Sequence, residues 1–190
     1  MRNYEAEFSP KTTEAHRNSI DELINNDATV KNYFVTKYAL GQTIDGNVII
    51  GTELSNQVVF SNSKLTQKEI ETGYLKSTDK NDLILGGEGN DKITGGKGDD
   101  VLYGGAGNDT YYIKTGDGTD TIEDKEGGNF IVANGKTMKL LVKQADGTYK
   151  TPDGTITATL VNGELILRDA STGVQLAILN ENFQEGDFGI

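Results

Sequence analysis

Three nonapeptides in unbroken succession fill residues 86–112: Gly86-Gly87-Glu88-Gly89-Asn90-Asp91-Lys92-Ile93-Thr94, Gly95-Gly96-Lys97-Gly98-Asp99-Asp100-Val101-Leu102-Tyr103 and Gly104-Gly105-Ala106-Gly107-Asn108-Asp109-Thr110-Tyr111-Tyr112. Each reads Gly-Gly-x-Gly-x-Asp-x-U-x, where U is a large apolar residue. A strict nine-residue period leaves few folds open. The glycines suit a tight turn, and the last three positions suit a short strand whose side chains alternate in facing. Ile93, Leu102 and Tyr111 then share one face, the interior. Two nonapeptides make one coil, so turns nine residues apart fall on opposite edges and turns eighteen apart stack. The spacing predicts a parallel β-roll in a mainly β chain.

The residue types at the turns point to a hard cation. Calcium takes six to eight oxygens from carboxylates, carbonyls and water. A glycine-rich turn lets carbonyls converge on one point, and the Asp at position 6 adds a formal charge there. Ions placed between stacked turns would pair Asp91 with Asp109 on one edge and Asp82 with Asp100 on the other.

The array weakens at both ends. Residues 77–85 keep Asp82 and Ile84 in register but lose the glycines. Downstream, Gly116-Asp117-Gly118-Thr119-Asp120-Thr121-Ile122 keeps the chemistry about two residues out of phase, which adds Asp117 and Asp120 to the candidate metal ligands. Atypical end repeats are expected as caps. Upstream, Asn47-Val48-Ile49-Ile50-Gly51-Thr52 echoes Asp82-Leu83-Ile84-Leu85-Gly86-Gly87, and Asn56-Gln57-Val58-Val59-Phe60 follows nine residues later. Lacking the Asp, these copies predict a metal-free roll turn or a β-hairpin.

On these motifs the chain resembles the repeats-in-toxin (RTX) proteins, exported bacterial proteins with haemolysin-type calcium-binding nonapeptides in their C-terminal regions. The likeness is strong over 77–124 and moderate over 125–190. It implies calcium held by Asp82, Asp91, Asp100 and Asp109, with carbonyls from Gly86, Gly87, Glu88 and Gly89, from Gly95, Gly96, Lys97 and Gly98, and from Gly104, Gly105, Ala106 and Gly107. It also implies export by a type I secretion apparatus and folding outside the cell or on its surface. With three perfect repeats, the array reads as part of a larger protein.

Other glycine-rich motifs fit less well. A flexible linker would not hold Gly, Asp and apolar residues in fixed phase. A phosphate-binding loop needs a GK[ST] and a following helix, and an EF-hand needs its own Asp spacing and a Glu at position 12. No GK[ST] follows the repeat glycines, no helix signal comes after them, and the EF-hand spacing and its Glu are absent.

Charge agrees with a cation. The net charge is −11, and residues 78–124 hold eleven Asp or Glu against four Lys. So dense a cluster repels itself unless neutralised, and without calcium the segment is expected to be disordered. Acidity also argues against nucleic acid, which needs a basic footprint. The chain has no cysteine, so disulfides are excluded. Met1 is followed by no apolar region of a secretory signal, which fits a type I signal at the extreme C-terminus and fits an excised fragment equally well. No run of eighteen apolar residues predicts a transmembrane helix.

Before the repeats, residues 13–40 read as helix. Ile20, Leu23 and Ile24 share a face, and a second helix runs from Asp27 as N-cap through Val30, Tyr33, Phe34, Lys37 and Tyr38 to Gly41. His16, the one histidine, reads as a surface residue. Its functional alternative is the last member of a serine-hydrolase triad whose body lies elsewhere, although the chain carries no G-x-S-x-G elbow. After the repeats, residues 128–190 read as an antiparallel β-meander with turns at Asn134-Gly135, Asp146-Gly147, Asp153-Gly154, Asn162-Gly163 and Thr172-Gly173. Apolar residues alternate at Met138, Leu140 and Val142, at Ile156, Ala158 and Leu160, at Leu165 and Leu167, and at Val174, Leu176 and Ile178. The closing Phe183 and Phe188 stretch looks like the β-rich segment that caps the roll in haemolysin-type proteins.

Four segments are expected: a helical lead (1–40), degenerate metal-free repeats (41–76), the calcium-binding roll (77–124) and the β-rich flanking cap (125–190). The expected role is a monomeric, non-catalytic calcium-binding module of a secreted toxin, enzyme or adhesin. The alternatives are the tail of a lipase-like hydrolase contributing His16, or a glycan-binding module. The last lacks Trp and an evident aromatic platform.

Overall fold

A computed structural model describes residues 24–52, 57–60, 74–124, 126–179, 183–184 and 186–190. The expected helix over 13–23, His16 and Asn182 lie outside them. The described residues are mainly β, with an α-helix, α1 (Ala28–Tyr38), helical residues 24–26 just before it, and a closing 3-10 turn, Asp187–Gly189. The helix starts where expected: the Asp27 carboxylate accepts hydrogen bonds from the amides of Thr29 and Val30. It ends at Ala39, followed by Leu40 and Gly41 at positive φ.

Two sheets receive the chain, alternately from residue 74 to residue 133. Strands β1 (Val48–Thr52), β4 (Leu83–Glu88), β6 (Val101–Ala106) and β8 (Asp120–Ile122) lie side by side in the first; β2 (Gln57–Phe60), β3 (Tyr74–Ser77), β5 (Lys92–Ile93), β7 (Thr110–Ile113) and β9 (Phe130–Ala133) belong to the second. All neighbouring pairs among these nine strands are parallel. Within the repeats the partners are eighteen residues apart, as in Leu83↔Val101 and Lys92↔Thr110. In the next coil they are twenty apart, Val101↔Thr121 and Thr110↔Phe130. Ile113, paired with Ala133 at the end of β7, lies in that longer stretch. The upstream echo pairs in parallel too, Val48↔Leu83 and Gln57↔Lys92, so the hairpin alternative does not apply.

The repeat's U position fills the space between the sheets. Ile84, Ile93, Leu102 and Tyr111 are fully buried, and Ile49, Ile122 and Ile131 join them. Position 7 faces outward, and here the two sheets differ. On the first it is Leu83 and Val101, which with Val48 pack beneath Ile24, Val30 and Phe34 of the helical lead. On the second it is Lys92 and Thr110. The apolar outer face of the first sheet is what gives α1 a place to dock; the Tyr38 ring meets Tyr103 edge-on at 5.7 Å.

The remaining strands, β10 (Lys136–Thr137), β11 (Val142–Lys143), β12 (Tyr149–Lys150), β13 (Ile156–Val161), β14 (Glu164–Asp169) and β15 (Gln175–Leu179), follow the parallel ladder. β10 folds back on β9 across Asn134-Gly135, and β13 and β14 are joined by Asn162-Gly163; each Asn and Gly has positive φ, the backbone of a two-residue hairpin turn. β11 to β15 pair antiparallel in chain order. β15 then lies parallel to β8, joining both groups of strands in one nine-stranded sheet. Ile156, Ala158, Leu165, Leu167, Leu176, Ala177 and Leu179 continue the interior cluster, and the Phe188 ring packs edge-on against Tyr111 at 5.9 Å.

The expected alternation fails in four places. Leu140, Val142, Leu160 and Val174 are 50%, 45%, 48% and 44% exposed. β11 is only two residues long and forms the sheet edge. A register shift between β14 and β15 at Leu167/Arg168 turns both Leu176 and Ala177 inward, which breaks period-two counting. The parallel ladder also continues past residue 124, since β9 stacks on β7.

Candidate metal centre

The turns between the sheets are built by glycines with two different jobs. In the middle repeat Gly96 and Gly98 have φ +93° and +118°, a region that side-chain-bearing residues rarely adopt. Gly95 has another constraint: a Cβ there would lie 1.9 Å from the Asp100 Oδ2 of its own repeat. Gly86 and Gly104 meet Asp91 Oδ2 and Asp109 Oδ2 in the same way. Position 1 is glycine because the position-6 carboxylate folds back over it.

Stacked turns are tied by two ladders running in opposite directions. Along one edge the amide of Asp82 donates to Asp100 Oδ1 (2.7 Å), and the amide of Asp100 donates to Asp120 Oδ1 (3.2 Å). Along the other the amide of Asp91 donates to Asp109 Oδ1 (2.8 Å), and the amide of Asp109 donates to Asn129 Oδ1 (2.7 Å). Position 5 forms the second ladder. The amides of Asp99 and Thr119 donate to Asn81 and Asp99, and those of Asn108 and Gly128 donate to Asn90 and Asn108.

The structure thus brings Asp82, Asp100 and Asp120 to one edge and Asp91 and Asp109 to the other, all buried. Asp117 is half-buried, and its carbonyl accepts the Gly98 amide at 2.7 Å. The side chains of Glu88 and Lys97 are exposed and that of Ala106 is half-buried, so these residues offer the turns only backbone groups. Asp100 Oδ2 and Asp109 Oδ2 are buried and accept no hydrogen bond. Such an atom has lost its water without a replacement. No three His, Cys, Asp or Glu side chains gather into one metal-holding group among the described residues. A cation here must draw on backbone carbonyls as well as on paired aspartates, which is the donor set calcium accepts.

Burial and crowding oppose ionisation along both edges. Burial pushes the Asp100 carboxyl up to about 7, with the charges of Asp82 and Asp99 adding to it. Asp120 is raised well above the usual carboxylate range by burial, then by Asp100. Burial also raises Asp109. Asp82 is raised by burial but relieved by the amides of Thr78 and Asn47 and by the Lys31 ammonium. Lys31 also donates to the Gly46 carbonyl, at the turn stacked on Asp82.

Sequence reasoning missed several residues of this region. The position-5 ladder was visible in outline, since that position is Asn or Asp in residues 81, 90, 99 and 108 alike. Asp124 and Asn129 were missed because the twenty-residue coil shifts them by two. Asp124 is buried and its Oδ2 accepts the Tyr111 hydroxyl at 2.6 Å; burial pushes its carboxyl up to about 7. Asp169, at the end of β14, ties the later strands to the roll: it accepts from Thr115 Oγ1 (2.7 Å) and Asn134 Nδ2 (3.2 Å), as well as from Ser171 and Thr172.

Residues 77–111 match the family model of the RTX calcium-binding nonapeptide repeat (4 copies). The match includes the glycine-poor copy that begins at Ser77. A comparison with curated proteins finds no match.

Proposed function

We propose that this chain, an RTX-repeat protein through residues 77–111, is a folding module switched by extracellular calcium. The observation that carries the reading is the stack of buried aspartates with oxygens left unsatisfied at Asp100 and Asp109. Two stacked turns bring two carboxylates and a set of glycine-turn carbonyls to each interface. Asp82, Asp91, Asp100, Asp109 and Asp120 would hold the ions, with the carbonyls of residues 86–89, 95–98 and 104–107. Bound calcium would supply the positive charge that the stacked aspartates lack.

The chain's own residues do the rest. Ile84, Ile93, Leu102 and Tyr111 supply burial once the turns stack, and the outer face of Leu83 and Val101 receives α1. Where free calcium is scarce the acidic repeats stay unfolded, which suits passage through a narrow exporter. Outside the cell, millimolar calcium exceeds a Kd of ~10⁻⁴ to 10⁻³ M, the range of extracellular sites. Each ion then stabilises the fold by RT ln(1 + [L]/Kd), about 1.4 kcal/mol when calcium is tenfold above Kd. The module serves as a monomeric, non-catalytic part of a larger protein exported by a type I apparatus.

Isothermal titration calorimetry on the chain tests this. Saturable heat with calcium, and much weaker binding of magnesium with its tight octahedron, is expected. No calcium heat at millimolar concentration refutes the reading.

A further inference from the structure

The last pair of turns on the Asp91/Asp109 edge departs from the repeat in a specific way. The register Thr110↔Phe130 carries every position forward by twenty residues. Asp124 therefore falls where Gly104 stands in the turn above, and Asn129 falls where Asp109 stands. The position-6 carboxylate has been replaced by an amide, and a carboxylate has appeared at position 1. The total charge of the interface is unchanged, because Asp109 and Asp124 supply what Asp91 and Asp109 supply one coil earlier.

We propose that the turns at 104–109 and 124–129 form a calcium site in which Asp124 replaces the missing position-6 aspartate. The proposal rests on the calcium-binding reading above and adds a ligand that the repeat pattern does not contain. Three oxygens converge around Gly104: a Cβ there would lie 2.1 Å from Asp109 Oδ2, 2.3 Å from the Tyr111 hydroxyl and 2.5 Å from Asp124 Oδ2. Asp109 is fully buried and its Oδ2 accepts no hydrogen bond. The Tyr111 proton is committed to Asp124 Oδ2, and Asp124 Oδ1 accepts the Glu126 amide at 3.2 Å. Two buried carboxylates thus face one another across the Gly104 turn, an arrangement that a shared cation stabilises. A carboxylate that already accepts one hydrogen bond on an oxygen keeps lone pairs for a metal. Tyr111 is a positioning residue that holds Asp124 over the Gly104 turn.

Equilibrium dialysis of the full chain against radiocalcium counts the ions. Asp124→Asn keeps an acceptor for the Tyr111 hydroxyl and the side-chain shape but removes the charge; it is expected to bind one ion fewer than the wild type. Tyr111→Phe keeps both carboxylates and is expected to keep the wild-type count with weaker affinity. Asn129→Asp restores the repeat's carboxylate and is expected to lower the calcium concentration at half-saturation severalfold. An Asp124→Asn count equal to that of a calcium-binding wild type overturns the proposal while leaving the parent reading intact. A wild type that binds no calcium overturns the parent reading instead. Should Asp124→Asn fail to fold in calcium, Asn129→Asp decides, and an unchanged half-saturation point overturns the site.

Discussion

Asp100→Asn should invert its effect with calcium. Asp100 is buried at the centre of its edge, between Asp82 and Asp120, and accepts the Asp82 amide through Oδ1. Asparagine retains that acceptor and loses the charge. In the ion-free fold the carboxyl is pushed from an ordinary 3.8 up to about 7. At ~1.4 kcal/mol per decade, holding it ionised above neutrality costs about 4 kcal/mol. Removing the charge should therefore stabilise the ion-free roll at pH 8 by up to about 4 kcal/mol. With calcium present the sign reverses. Asp100 serves the interfaces on both sides of its turn, and a tenfold loss of affinity at each costs about 1.4 kcal/mol, or roughly 3 kcal/mol together. Far-ultraviolet circular dichroism with urea, run in chelator and in saturating calcium, reads both arms. Greater β content in chelator and a lower urea midpoint in calcium are expected. A substitution that destabilises the chain in both conditions, or has no effect in chelator, refutes the argument that charge dominates this position.

Acid should partly replace calcium in chelator. Asp100 and Asp124 have folded values of about 7 against an unfolded 3.8, so the fold holds more protons between those limits; its stability is fully present below about pH 4 and is lost as pH rises through about 7. More β signal in chelator at pH 5 than at pH 8 is expected, and equal signals contradict it. Gly95→Ala, whose Cβ would lie 1.9 Å from Asp100 Oδ2, should cost more than ~3 kcal/mol in calcium by urea unfolding, a severe steric case. Asn90→Ala, which removes one exposed acceptor of the Asn108 amide, should cost about 1 kcal/mol; equal costs for the two variants refute the assigned roles of positions 1 and 5. Asp169→Ala, which severs the contacts to Thr115 and Asn134, should lower the melting temperature of the calcium-loaded chain, and an unchanged value shows that this junction does not couple the two groups of strands.

The repeat was legible because one period governs both chemistry and packing. Position 8 told which residues would be buried, and Ile84, Ile93, Leu102 and Tyr111 are. Position 6 told which aspartates would stack. The legibility ended where the period changed. Lengthening one coil to twenty residues displaced Asp124 and Asn129 from the positions a nine-residue count assigns them, and only strand pairing restores the count. The later strands were readable at their turns, because Asn134-Gly135 and Asn162-Gly163 carry the backbone preference locally. Their facing was less so: Leu160 and Val174 obey the alternation in sequence but lie exposed, since burial depends on which neighbour covers a strand end and on a register shift that no local pattern announces. The docking of α1 on Leu83 and Val101 is likewise a tertiary fact, although the contrast between apolar position 7 on one sheet and Lys92 and Thr110 on the other was present in the sequence.

The central claim is that the parallel ladder exists only with calcium, and amide hydrogen exchange measures this most directly. The amides of Val101, Thr110, Thr121 and Phe130 donate to the carbonyls of Asp82, Asp91, Asp100 and Asp109, two on each edge of the stack. Strong protection of these four amides in millimolar calcium is predicted, with exchange at the rate of an unfolded chain in chelator at neutral pH. Equal protection in both conditions would contradict the account, since the ladder would then stand without the ion.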